Sequence, residues 1–172
     1  MKHFYVFLTI FFTMILFCLC SLSCNKESGL EPEEQSVQVF LKYGYKNELN
    51  TFEKTYQKDL VVDGVIKVNF WLTAGEQDSI IKQAESIEFF SMPGMFSYSP
   101  LDYIDVDINP NPGEQILRIK CGSNDKTVHW TYPVNENDSQ VLALLSLKEF
   151  IVSIIESKIE YKVLPAPTGG YL

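Results

Sequence analysis

Apolar and polar residues alternate along several stretches of the chain, which is the pattern of half-buried β-strands. The alternation begins at residues 37–43, and an extended stretch follows at 51–62. Asp63 and Gly64 are a two-residue hairpin signal, and another alternating stretch follows them at 66–72. Later stretches repeat the pattern and are joined by turns that contain Pro, Gly or Asn: 104–108, 117–121 and 128–132.

Apolar residues also recur at helical spacing in two places. Thr73 and Glu76 form a capping-box pattern before the first helix, which is predicted to end near Phe89 and Phe90, ahead of Pro93. The second helix is predicted to start around residues 137–139 and to run to about residue 158. Its predicted buried face is Leu144, Leu147, Ile151, Ile154 and Ile155.

These elements predict a single α+β domain with the order β-β-β-α-β-β-β-α over residues 37–162. Tight turns between strands predict antiparallel pairing, with each of the two helices covering one face. A Pro/Gly-rich tail, residues 163–172, follows the domain. Such a tail is usually frayed, but its final Tyr171 and Leu172 leave open that it lies against the domain.

The first 23 residues have the organisation of a secretory signal, with a basic start, a long apolar stretch and small residues near its end. They resemble the lipoprotein class of bacterial signal peptides, because Ser23 precedes Cys24, although Ser21 stands where that class usually has leucine. The resemblance implies that Cys24 carries lipid. A plain signal peptide cleaved near Ser23 and a retained membrane helix are the alternatives.

Residues 24–36 are polar, acidic and interrupted by Gly and Pro, and are therefore predicted to form a flexible tether. The protein is expected to be exported and lipid-anchored to the bacterial cell membrane or outer membrane. The formal net charge is −8, and cleavage before Cys24 would remove only one charged residue, Lys2. This acidity argues against nucleic acid as a partner and against electrostatic docking on anionic lipid.

Few residues after the leader could carry chemistry. Cys121 is the only cysteine after Cys24, so no intrachain disulfide framework is expected, and Cys121 is predicted to be a small buried residue. His129 is the only histidine after the leader and is predicted to face solvent. The chain has no Gly-x-Ser-x-Gly elbow, P-loop or dinucleotide fingerprint. We therefore predict no catalytic residues, no cofactor and no metal site.

The acidic residues Asp105 and Asp107 resemble part of a calcium loop. A loop of the EF-hand type starting at Asp105 needs Gly at position 110 and Glu at position 116, where this chain has Pro110 and Ile116. We instead predict that both carboxylates face Arg118 and Lys120 across a hairpin between 104–108 and 117–121.

A loop rich in methionine and aromatic residues follows the first helix and suits a binding surface. An alternative is a lid packed over the end of the sheet, which is favoured for Phe89 and Phe90. The candidate residues for binding a partner protein are Met92, Met95, Phe96 and Tyr98.

Residues 50–61, 89–93 and 164–171 together resemble an uncharacterised family of small bacterial lipoproteins and secreted proteins, which brings no activity with it. The strand–helix–strand order is similar to that of emfourin-type inhibitors of metalloproteases. A non-enzymatic interaction domain at the cell envelope is therefore the leading hypothesis. A protease inhibitor is the second, and a hydrolase with an unrecognised site is the third.

Overall fold

The computed structural model describes residues 37–97, 112–135 and 137–171. The strands in these residues are β1 (Gln38–Tyr43), β2 (Asn47–Asn50), β3 (Thr55–Val61), β4 (Gly64–Asn69), β5 (Met95–Phe96), β6 (Glu114–Cys121) and β7 (Asn124–Thr131). The helices are α1 (Ala74–Ser86), α2 (Ser139–Ser157) and the short α3 (Ile159–Lys162), together with one 3₁₀ turn (Phe89–Ser91). None of the helices in this part of the chain is both long and apolar enough to span a bilayer.

The strands form one seven-stranded sheet in the order β4-β3-β2-β1-β6-β7-β5. Every neighbouring pair is antiparallel except β5 and β7, which run parallel. The predicted single α+β domain with a mostly antiparallel sheet and two main helices is confirmed. All described residues fall in one compact unit, Gln35–Leu172.

Strand pairing corrects the predicted hairpin between 104–108 and 117–121. The segment 104–108 lies outside the described residues, but β6 has both of its edges occupied. It pairs with β1 on one side and with β7 on the other. The prediction was wrong because it assumed that neighbours in sequence pair, whereas β6 pairs with the distant first strand.

Two other details of the sheet differ from expectation. No strand was predicted between residues 43 and 51, but this stretch contains β2, which has only one buried residue, Leu49. The β3–β4 turn is formed by Val62 and Asp63, and Gly64 already belongs to β4. Gly64 has φ of +79°, a conformation that glycine adopts without steric cost.

One face of the sheet carries the core. Residues of alternating parity in β1, β6 and β7 are buried, as the sequence pattern predicts. Both α1 and α2 contribute to this same core, so the helices do not cover opposite faces. The helix residues at its centre are Ile80, Ala84, Leu144, Leu147, Ile151 and Ile155.

The helix boundaries follow local capping. Thr73 Oγ1 accepts a hydrogen bond from the Glu76 amide at 3.3 Å, and a Glu76 carboxylate oxygen accepts one from the Thr73 amide at 2.7 Å. This is the predicted capping box, which satisfies amides that have no partner within the helix. Asp138 caps α2 in a similar way by accepting from the Gln140 amide. Ile154, predicted to lie on the buried face of α2, is half-buried.

Candidate functional site

The face of the sheet opposite the helices contains an open groove of about 410 Å³. Its position follows from strand register, because residues directly opposite each other share a face. Phe40 on β1 lies opposite Arg118 on β6 and Asn50 on β2. Thr127 on β7 also lies opposite Arg118. The principal lining residues are Phe40, Asn50, Phe52, Ile116, Arg118 and Thr127.

Arg118 is held in place from two directions. Its Nε and Nη2 donate to the two carboxylate oxygens of Asp125 at 2.8 and 2.7 Å, and its guanidinium carbon lies 4.8 Å from the centroid of the Phe52 ring. The hydrogen bonds to Asp125 raise the pKa of Arg118, and the same bonds lower the pKa of Asp125. The guanidinium is therefore an oriented plane at the groove wall, with its charge compensated.

The other charge that lines the groove also has a partner. Glu53 lies 3.3 Å from the Lys67 ammonium. The Glu53 amide donates to Asn50 Oδ1 at 3.2 Å, which links the wall of the groove to the end of β2. The groove thus combines aromatic rings, an amide, a hydroxyl and paired charges, and it carries no net charge of its own.

His129 lies on the same outward face, as the sequence predicts. Its Nδ1 is 2.9 Å from Glu114 Oε1, and its ring is about one-third exposed, at 34%. Within residues 37–97, 112–135 and 137–171, no group of three or more His, Cys, Asp or Glu side chains could hold a metal ion. Asp105 and Asp107 lie outside this part of the chain, and the residue expected to face them, Arg118, is paired with Asp125.

The loop predicted to bind a partner does not form one exposed surface. Met92 is 2% exposed and belongs to the core, so its assignment to a binding surface was wrong. Its apolar side chain packs in the core between the 3₁₀ turn and β5. Phe96 is half-buried against the core, and Met95 is 60% exposed. Tyr98 lies outside the described residues, as does the predicted lipidation site Cys24.

Cys121 is half-buried at the end of β6, and is thus less buried than predicted. It is the last residue of the strand. Its inward parity agrees with the alternation of Leu117 and Ile119, which are fully buried.

A cluster of tyrosines that the sequence did not suggest lies under α3. The hydroxyls of Tyr43 and Tyr56 are 2.8 Å apart. Burial raises the pKa of Tyr43 to about 12 and also raises the pKa of Tyr56. Lys58 is 7% exposed, and its ammonium lies 4.3 Å from the centroid of the Tyr161 ring, a cation–π contact. Because their pKa values are raised, Tyr43 and Tyr56 stay protonated at physiological pH, which suits a structural role.

Fold and groove together define a single α+β domain whose helices cover one sheet face and whose other face carries an aromatic groove. Comparisons of the chain with protein-family models, with curated proteins and with solved structures found no match.

Proposed function

We propose that this protein is a non-enzymatic binding domain that is held at the bacterial envelope by lipid on Cys24 and takes an uncharged carbohydrate in its groove. The observation that carries the proposal is the lining of the groove. Phe40 and Phe52 offer aromatic surface, while Arg118 and Glu53 offer polar groups whose charges are already compensated.

The paired charges favour an uncharged ligand. A charged ligand would have to compete with the bidentate Arg118–Asp125 pair or with the Glu53–Lys67 pair. A hydroxyl group does not compete in this way, because it can donate and accept without carrying charge. The guanidinium has five N–H donors, of which one on Nε and one on Nη2 donate to Asp125.

The aromatic rings favour a sugar in particular. A pyranose ring presents C–H groups on its faces and hydroxyls around its rim, so it can pack on an aromatic ring while its rim forms hydrogen bonds. Phe40 and Phe52 supply such rings, and Asn50 and Thr127 supply amide and hydroxyl groups beside them. Sites that bind small ligands combine apolar side chains with placed polar groups, and this groove sets the apolar Phe40, Phe52 and Ile116 beside polar side chains.

The predicted lipoprotein leader also favours a carbohydrate ligand, because it would place the domain at the cell envelope. A domain that is tethered to an envelope membrane meets the polysaccharides and glycolipids of that envelope. A short acidic tether, residues 24–36, would let the open sheet face reach them. Tethering also raises the effective concentration of the domain at the surface, so that weak binding in an open groove becomes sufficient.

The proposal is tested with the chain from residue 25 to residue 172, which keeps the whole compact unit. We expect it to bind neutral oligosaccharides on a glycan array, with the affinity then measured by titration calorimetry. Phe40→Ala and Phe52→Ala should each weaken binding about tenfold or more, which corresponds to about 1.4 kcal/mol. Val65→Ala is the matched control, because Val65 is exposed but does not line the groove.

Several outcomes would overturn the proposal. Binding that is unchanged in both phenylalanine variants would place the ligand elsewhere, and no binding to any neutral glycan would reject the ligand class. A preference for anionic glycans, or for a protein partner at the same groove, would show that the ligand is not an uncharged carbohydrate. Stoichiometric inhibition of a metalloprotease without glycan binding would instead support the second hypothesis from the sequence.

A further inference from the structure

We infer that the end of β3 and the β1–β2 turn form a peptide-recognition site, which the C-terminal segment of the chain occupies and which can take the same segment from a second copy. We call this the tail site. It consists of Tyr45, Lys46, Asp59, Asp63 and the backbone from Leu60 to Val62.

The segment binds as a strand would. Thr168 forms a parallel bridge with Val61. The Thr168 amide donates to the Leu60 carbonyl at 3.2 Å, and the Val62 amide donates to the Thr168 carbonyl at 3.4 Å. Addition of an extended segment to sheet backbone is a general mode of peptide recognition, in which the backbone bonds provide affinity and side chains provide specificity.

Two side chains of the segment make specific contacts. Thr168 Oγ1 donates to Asp63 Oδ2 at 2.6 Å. The Tyr171 ring stacks on Tyr45 with centroids 3.8 Å apart, and the Lys46 ammonium lies 5.6 Å from the centroid of the same ring. The Tyr171 hydroxyl donates to Asp59 Oδ2 at 2.7 Å. The ring and the hydroxyl are therefore recognised separately, as in a pocket for one residue type.

Asp59 is built into the protein as the acceptor for this tyrosine. It is 5% exposed, and its other carboxylate oxygen accepts from the Val61 amide at 2.9 Å. A buried carboxylate oxygen is costly to leave without a partner. Departure of Tyr171 would therefore leave an acceptor that any incoming Tyr-containing segment could satisfy.

The tail is exposed along most of its length. Every residue from 165 to 170 is exposed, whereas Tyr171 is half-buried. Pro165 and Pro167 have no N–H and cannot add hydrogen bonds to the sheet. The attachment is thus concentrated at Thr168 and Tyr171, which allows the segment to detach while the core stays folded.

A second copy presents the same segment, so exchange of tails keeps every contact of the tail site. Reciprocal exchange gives a closed two-fold dimer, the commonest symmetry of homo-oligomers. Within one molecule the attached tail has the advantage of a high effective concentration. Exchange therefore needs crowded copies, and lipid anchoring on Cys24, which belongs to the proposed function, would provide the crowding. The tail site itself does not depend on the groove or on the anchor.

Complementation between two variants of the chain 25–172 tests the inference. Tyr171→Ala removes the ligand and keeps the site, whereas Asp59→Ala removes the acceptor and keeps the ligand. Each variant alone should sediment as a monomer, and an equimolar mixture should form heterodimers at about 100 µM or above. In the control mixture Gly170→Ala takes the place of Tyr171→Ala. A Cβ at position 170 meets nothing within 4 Å, so this substitution leaves the contacts of the tail in place. A mixture that stays monomeric would reject exchange between copies.

A peptide titration tests the site separately. A chain that ends at Leu164 should bind a labelled peptide of residues 165–172, and the same peptide with Tyr171→Phe should bind more weakly by about tenfold or more, as expected for loss of a hydrogen bond to a charged group. The chain that keeps its tail should bind the peptide more weakly, because its tail competes. Equal binding to both chains would overturn the inference. If the shortened chain does not melt cooperatively, the full-length Tyr171→Ala variant replaces it.

Discussion

Lys158 and Glu76 connect the end of α2 to the first turn of α1. The Lys158 ammonium lies 2.9 and 3.1 Å from the two carboxylate oxygens of Glu76. The same carboxylate accepts from the Thr73 amide in the capping box. One side chain therefore stabilises the start of a helix and holds it against the other main helix.

The pKa of Glu76 reports this arrangement. Partial burial raises the pKa, but the hydrogen bonds from Lys158 and Thr73 outweigh burial, so that the pKa lies below its usual value. A lowered folded-state pKa contributes stability above the unfolded-state pKa and loses it as the pH falls through the folded-state value. Glu76→Gln should lower the free energy of unfolding by about 1–2 kcal/mol at pH 7. Urea unfolding should show this loss shrinking below about pH 4, the usual range for glutamate.

The control for Glu76 is Glu53→Gln. Glu53 pairs with Lys67 at the surface, where its side chain is 62% exposed, and exposed pairs contribute little. Its effect on unfolding should therefore be small at every pH. A Glu76→Gln effect that is the same at pH 3 and pH 7 would show that packing, and not the charge, is responsible.

The lipid anchor is tested at Cys24. Lipid chains bind membranes by burying methylene groups, at about 0.8 kcal/mol each. We expect Cys24→Ala to move the protein out of the membrane fraction or to block its processing, as seen by fractionation and metabolic labelling with palmitate. Cys121→Ala should leave both unchanged. Normal labelling and fractionation of Cys24→Ala would contradict the lipoprotein reading of the leader.

Calcium should have no effect on the stability of the protein. A ligand raises the melting temperature only by binding the native state. The residues that follow Asp105 and Asp107 do not fit the spacing of a calcium loop, so we predict no such binding. Differential scanning calorimetry with calcium and with chelator should give the same transition. A calcium-dependent rise that disappears in Asp105→Asn would identify a site.

Gly169 and Gly170 form a matched pair for testing how the tail docks. Gly169 has φ of +75°, and a Cβ there would lie 2.7 Å from Val62 Cγ2, whereas Gly170 has open space. Gly169→Ala should weaken docking by about 1–2 kcal/mol, and Gly170→Ala should change it little. Proteolysis of the tail measures the difference. Val62→Ala should restore part of the loss, and no effect of Gly169→Ala would place the tail elsewhere.

The orientation of Arg118 should matter more than its charge. Arg118→Lys keeps the positive charge but loses the bidentate bonds to Asp125 and the planar contact with Phe52. For a glycan identified on the array, we expect about fivefold weaker binding by calorimetry. Lys126→Arg, on the opposite parity of β7, should bind as the unaltered chain does. Full affinity in Arg118→Lys would show that the guanidinium plane does not contact the ligand.

Much of the candidate groove was implicit in strand parity but not recognisable as a site. The alternation that buries Val39 necessarily turns Phe40 outward, and the same holds for Leu117 and Arg118. What joins Phe40 to Arg118 is the pairing of β1 with β6, between strands far apart in sequence. The binding role predicted for Met92 was wrong for a different reason. Methionine suits a flexible surface and a core equally well, so its presence alone does not distinguish them.

The sequence by itself determined the local elements of this protein. The capping box at Thr73, the turn before Gly64 and the inward parity of β1, β6 and β7 depend on residues close together in the chain, whose preferences act locally. Tertiary structure alone decided that β6 lies between β1 and β7, that both main helices share one face, and that Tyr171 reaches Asp59. These relationships join distant residues, and an edge of a strand accepts any partner of suitable length. The choice is therefore made by burial over the whole core and not by any local pattern.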